Sequence, residues 1–97
     1  MLTQKQIDIV ISSMMPYNPV RIGIFGSVAR GEDTKESDID ILYRLKNAVG
    51  LFNLVRMRND LEQKLNRKVD LVSEQFIHSK LKPHIMNDLK IIYDNGR

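Results

Sequence analysis

The chain has 97 residues, 42% of them apolar and 28% charged, with no cysteine and a formal net charge of +3. That length supports one hydrophobic core and not two, so a single domain over residues 1–97 is expected. The lack of cysteine excludes disulfides and thiolate zinc sites and fits a reducing, cytoplasmic setting, while no apolar stretch approaches the roughly 20 residues of a membrane span. The first residues, Met1-Leu2-Thr3-Gln4-Lys5-Gln6, lack the charged-then-apolar layout of a signal peptide. Arg56, Arg58, Lys64, Arg67 and Lys68 form the densest basic group and read as a solvated helix face, so nucleic acid is not the expected partner.

Ile7, Val10, Ile11 and Met14 recur at i, i+3, i+4 and i+7, the stripe of an amphipathic helix. Thr3 followed three residues later by Gln6 predicts a capping box at its start, and Pro16 with Pro19 predicts its end. Val20 to Phe25 reads as a strand with Val20, Ile22 and Ile24 on one face. Gly26 to Ser37 reads as a turn, one short helix and a polar loop, and Asp38 to Arg44 as a second strand. After Gly50, the apolar positions Leu51, Leu54, Val55, Leu61 and Leu65 predict a second long helix, serving core, dimer or partner contacts. Lys68 to Ser73 reads as a third strand and Glu74 to Lys80 as a brief helix. Pro83 suits the first turn of a last helix running to about Leu89. Ile91-Ile92-Tyr93 is a short apolar segment, either a helix end or an edge strand. This order implies an α/β (α+β) fold, a small mixed β-sheet covered by helices.

Chemistry concentrates between Gly26 and Asp40. Side chains alternate along a strand, so Asp38 and Asp40 share one face while Ile39 and Ile41 enter the core. Aspartate is rare in strands, and two like charges side by side repel, so a neutralising cation is needed. Asp70 lies between Val69 and Leu71 on the third strand and is expected on the same outer face. Three such carboxylates suit hard cations, Mg²⁺ or equally Mn²⁺, and two ions roughly 3.5–4 Å apart would clamp an in-line phosphoryl displacement. Gly26 allows close backbone approach to a phosphate, the next amides open a short helix, Ser27 adds a hydroxyl and Arg30 a guanidinium fork. A phosphate cradle beside metal ligands is a layout for attack on a nucleoside triphosphate. Glu36 reads as a solvated carboxylate and His78 and His84 as surface residues. Tyr43 is a weak candidate for stacking on a base.

Gly26-Ser27, ten residues, then Asp38-Ile39-Asp40, with the later strand Val69-Asp70-Leu71-Val72, resembles the nucleotidyltransferase superfamily related to DNA polymerase beta. With Arg30-Gly31 and Ser37, the form is similar to the minimal nucleotidyltransferases, over nearly the whole chain. The resemblance implies that Gly26 and Ser27 bind the triphosphate, that Asp38 and Asp40 hold two Mg²⁺ ions, and that Asp70 completes one metal site. It implies ATP as substrate, AMP as the transferred group, and Asp70 or its metal activating the acceptor hydroxyl.

The chain spends nearly all its residues on the sheet and the helices behind it, so either a second protein forms the acceptor pocket or the acceptor is itself a protein. Minimal nucleotidyltransferases occur beside helical HEPN proteins as toxin–antitoxin pairs. The implied reading is a type VII-like antitoxin that transfers AMP to a tyrosine of a HEPN toxin. Two alternatives stand beside it. One is a binding antitoxin that neutralises its partner without catalysis, and the other a small-molecule nucleotidyltransferase completed by a second subunit or a homo-oligomer.

Overall fold

The computed structural model describes residues 1–96. The first helix, α1 (Gln4–Met14), starts with the expected capping box: Gln6 N–H donates to Thr3 Oγ1 at 3.1 Å and Thr3 N–H to Gln6 Oε1 at 2.9 Å. It gives way to a single 3₁₀ turn at Met15–Tyr17, which contains Pro16, and then to Asn18 in the left-handed region (φ 55°). Strand β1 (Pro19–Phe25) follows, then the short helix α2 (Gly26–Arg30), strand β2 (Ile39–Leu45) and helix α3 (Leu51–Leu65). Strand β3 (Val69–Ser73), a 3₁₀ turn at Glu74–Phe76, helix α4 (Lys82–Asp88) and strand β4 (Lys90–Asp94) complete the order.

The four strands form one mixed sheet in the order β3-β2-β1-β4. β1 is antiparallel to both β2 and β4, and β2 is parallel to β3, with α3 as the crossover that a parallel pair requires. Ile22, Ile24, Ile39 and Ile41 of the sheet are fully buried with Val10 and Met14 of α1 and Met57 and Leu61 of α3. Each such side chain contributes about 1.5–3 kcal/mol of transfer free energy. No helix among the described residues is long and apolar enough to cross a membrane.

Three sequence expectations change and one open choice is resolved. β2 starts at Ile39, so Asp38 stands at the entrance of the strand and not on it. The helix expected over Glu74–Lys80 is one 3₁₀ turn, because Ile77 is already extended and Arg21 draws Glu74 back to β1 through two hydrogen bonds. On α3 the buried stripe is Met57, Leu61 and Leu65; Leu51 is 75% exposed, Phe52 90% and Val55 37%. The open choice at Ile91–Tyr93 resolves as an edge strand, with Arg21 pairing to Asp94 and Ile22 to Tyr93. Gly23 of β1 lies beneath Leu89, whose side chain occupies the space a Cβ would need.

Candidate active site

The end of β1 and the starts of β2 and β3 meet at one end of the sheet. Phe25 pairs in register with Asp40, and Asp40 pairs with Asp70 on the neighbouring parallel strand. Asp40 and Asp70 are therefore adjacent on one face, while Ile39, Ile41 and Val69 are buried on the other. Gly26 follows Phe25 with φ 74°, and the Asp40 carboxylate lies directly against its Cα, where any Cβ would collide with Oδ2. The glycine is therefore required twice over, by its left-handed backbone and by this close approach.

Burial pushes the Asp40 carboxyl up from 3.8 to about 6, with the negative charges of Asp70 and then Asp38 adding to the rise and Arg30 opposing it. Among the described residues, none donates a hydrogen bond to, or forms an ion pair with, the carboxylates of Asp38, Asp40 or Asp70. Unpaired carboxylate oxygens, half-buried at Asp40 and exposed at Asp38 and Asp70, are the donor set a hard divalent cation prefers. Among the described residues, no three His, Asp or Glu side chains are gathered tightly enough to hold a metal ion unaided. That arrangement fits Mg²⁺, which is commonly bound by one or two carboxylates together with substrate phosphates and waters.

Gly26 and Ser27 open α2, whose preceding residue, Phe25, provides no side-chain cap. The first amides of a helix lack intrahelical acceptors, so these point outward beside Asp40 as donors for an anion. Gly31, left-handed at φ 73°, closes the helix, and Glu32 N–H donates to the Ser27 carbonyl at 2.9 Å. Arg30, expected to offer its fork to phosphate, pairs with two carboxylates. Its NH1 meets Asp88 Oδ2 at 2.6 Å and its Nε meets Glu32 Oε2 at 3.1 Å, so it bridges α2 to α4. The hydrogen bonds to Asp88 and Glu32 hold its guanidinium further into the charged range.

One residue of consequence escaped the sequence reading. Arg67 was assigned to a solvated basic face, yet its side chain is only 15% exposed. It donates through Nε and NH2 to the Ser37 carbonyl at 3.2 and 2.8 Å, and through NH2 to the Thr34 carbonyl at 3.2 Å. NH1 adds an ion pair with Asp33 at 3.2 Å. With Ile39 N–H donating to the Lys68 carbonyl at 2.9 Å, this staples the loop that delivers Asp38. The only local signal was the turn in front of it: Asn66 ends α3 in the left-handed region (φ 53°).

Arg67→Ala is expected to lose about 1–3 kcal/mol of stability through its charge-assisted bonds. Displacing Asp38 is also expected to lower the turnover number up to about 100-fold. Thermal unfolding and kcat, measured on the same variant, check both.

The remaining candidates fall where their chemistry predicts, or are set aside. Glu36, His78 and His84 are exposed. Tyr43 belongs to the core, 8% exposed, and hydrogen-bonds Ser73, so it offers no open face to a base.

Comparison with known proteins agrees with this architecture. Residues 5–92 match the nucleotidyltransferase domain family, and the chain belongs to that family. It is 38% identical over 79 residues to "Putative protein adenylyltransferase MJ0435" of Methanocaldococcus jannaschii, covering 81% of this chain and 85% of that one. It is 28% identical over 94 residues to "Protein adenylyltransferase MntA" of Thermococcus cleftensis, covering 92% of this chain and 95% of that one. Among solved structures, a "putative minimal nucleotidyltransferase" superposes with a TM-score of 0.77 at 31% identity over 90% of this chain and 89% of the other. A tri-AMPylated HEPN toxin in complex with its MNT antitoxin, from Shewanella oneidensis, superposes with a TM-score of 0.77 at 19% identity, covering 97% of this chain and 74% of that one, a likeness of fold.

Proposed function

We propose that this chain transfers AMP from ATP to a hydroxyl on a protein, with a tyrosine of a HEPN toxin as the acceptor, and so acts as an antitoxin of the type VII kind. The observation that carries the reading is the row Gly26–Asp40–Asp70, where an outward-facing helix start and unneutralised carboxylates adjoin on one end of the sheet. The names of the relatives, protein adenylyltransferases, and the AMPylated toxin bound to one structural neighbour support the choice of acceptor.

In this mechanism the amides of Gly26 and Ser27, with the Ser27 hydroxyl, hold phosphate oxygens of the nucleotide. Asp38, Asp40 and Asp70 would hold Mg²⁺ or Mn²⁺, which when bound neutralises phosphate charge and lowers the pKa of the acceptor hydroxyl. The acceptor oxygen attacks the α-phosphorus, forming a new P–O bond. The bond from the α-phosphorus to its bridging oxygen breaks, and pyrophosphate leaves. The acceptor proton passes to Asp70, whose exposed carboxylate shares the Asp40 face. Arg30, fixed by Asp88 and Glu32, contributes positive charge toward Asp40 without leaving its partners.

Incubation with α-labelled ATP and Mg²⁺ in the presence of a HEPN toxin, followed by mass spectrometry of both proteins, tests the reading. Mass gain of one AMP on a toxin tyrosine, absent with the Asp38→Asn/Asp40→Asn variant, is the expected result. A variant that still silences the toxin without any transfer would replace catalysis with neutralisation by binding. Label on neither protein, with label on an added small alcohol or aminoglycoside, would replace the protein acceptor with a small one.

A further inference from the structure

Next to the carboxylate row lies a cleft of about 160 Å³ that the transfer chemistry leaves unassigned. Leu51, Leu54 and Val55 of α3 face Leu71 of β3 across it, and two charged residues, Asp70 and Arg58, complete its wall. Leu51, Val55 and Arg58 follow one another at i, i+4 and i+7, so one stripe of α3 supplies both the apolar wall and the cation. Asp70 belongs to the cleft and, through its register with Asp40, to the candidate active site. Among the described residues neither the Arg58 guanidinium nor the Asp70 carboxylate has a side-chain hydrogen-bond or ion-pair partner, in each other or elsewhere.

Size selects the occupant. Nucleotide and drug-sized sites run to roughly 300–1,000 Å³, so this cleft is too small for a nucleoside. A cavity of about 150 Å³ with aliphatic walls accepts a single benzene ring, so the space here matches one aromatic side chain. Charge narrows it further: a ring that buries itself between Leu51, Val55 and Leu71 leaves its neighbours at Arg58, which favours carboxylates.

We infer that this cleft is the acceptor subsite: it seats the ring of a protein tyrosine with its hydroxyl toward Asp70, and Arg58 selects acidic residues flanking that tyrosine. The inference rests on Asp70 being part of the catalytic centre. The bond made is phenol oxygen to α-phosphorus, the bond broken is that to the pyrophosphate leaving group, and the phenol proton goes to Asp70. The 75% exposure of Leu51, an apolar residue on the cleft wall, is what an α3 awaiting such a partner would show.

The probe is a pentapeptide with one tyrosine between glutamates, compared with its lysine-flanked counterpart, using the full chain, labelled ATP and Mg²⁺. Binding of a fluorescent ATP analogue is measured in parallel. Wild type is expected to label the acidic peptide at least tenfold more efficiently than the basic one. Arg58→Glu reverses that preference, and Leu51→Arg, which fills the slot from an exposed position, raises KM at least tenfold with kcat and analogue binding unchanged. Equal labelling of both peptides, or of neither while the analogue binds, overturns the subsite. So does an unchanged peptide preference in Arg58→Glu together with an unchanged KM in Leu51→Arg, or preferential labelling of an RNA oligonucleotide. Failure of the wild type to bind the analogue instead removes the catalytic reading beneath it.

Discussion

Asp40→Asn is expected to abolish most nucleotidyl transfer while making the metal-free chain more stable at neutral pH. On the proposed mechanism, removing an oxygen and its charge from the centre of the row should lower kcat by roughly 10²–10³-fold or more. Stability moves the other way. The folded-state carboxyl titrates near 6 against 3.8 when unperturbed, chiefly from burial and then from Asp70 and Asp38. Between those values the native chain binds more protons than the unfolded one, so native stability falls as pH rises through that window. Below 3.8 both states are protonated and there is no penalty; above 6 it is complete. The asparagine should therefore gain little at pH 3.5 and about 1 kcal/mol at pH 7.5, after discounting for solvent screening of a half-exposed group. That gain is a rise in Tm of about 4–8 °C for a chain of this size. Calorimetry across pH in the presence of a chelator reads it. Adding Mn²⁺ or Mg²⁺ should reverse the ranking, because the cation neutralises wild type and has less to hold in the variant. A destabilised asparagine variant at pH 7.5 would mean that Asp40 is already neutralised by the protein itself.

Gly26→Ala should be the most damaging single change at the site. A left-handed backbone costs an L-residue about 1–2 kcal/mol, and the new methyl group enters the Asp40 carboxylate. Together about 2–4 kcal/mol is expected, a large part of the 5–15 kcal/mol that holds a typical domain together. Activity should fall at least about 100-fold in the fraction that folds, since either the carboxylate or the phosphate-facing amides must move. A double-mutant cycle separates the two causes. Gly26→Ala/Asp40→Gly removes the collision and leaves the backbone strain, so it should regain about half of the lost stability and none of the activity. Additive losses in that cycle would show that the collision is relieved by a shift that costs nothing.

Local pattern foretold most of the framework, because the signals that decide it are short in range. Alternation set Ile22, Ile24, Ile39 and Ile41 in the core, and Thr3 with Gln6 announced the start of α1. Gly26, Asp40 and Asp70 were brought together as their strand positions suggested. What escaped depends on partners far away in the chain. Arg67 finds Ser37, thirty positions earlier, and Arg30 finds Asp88, fifty-eight later; no spacing rule sees either. Met57 was passed over in favour of Leu51 and Val55 because hydrophobicity says which side chains prefer burial, not which stretch of a helix has something to lie against. Asp38 was counted into β2 because strand ends are defined by pairing, and its pairing stops at Ile39.

The sheet also has a temporal consequence. β1 is central, yet one of its flanks is β4, which arrives from the far side of every other element. Until Leu89 settles over Gly23 and Asp94 reaches Arg21, Ile22 and Ile24 have only β2 beside them, and Arg30 lacks Asp88. A protease cut in the exposed stretch 78–81 would undo the same closure. Release of this one five-residue edge strand would therefore bare a flank of β1 and loosen the Asp88–Arg30 contact in one event.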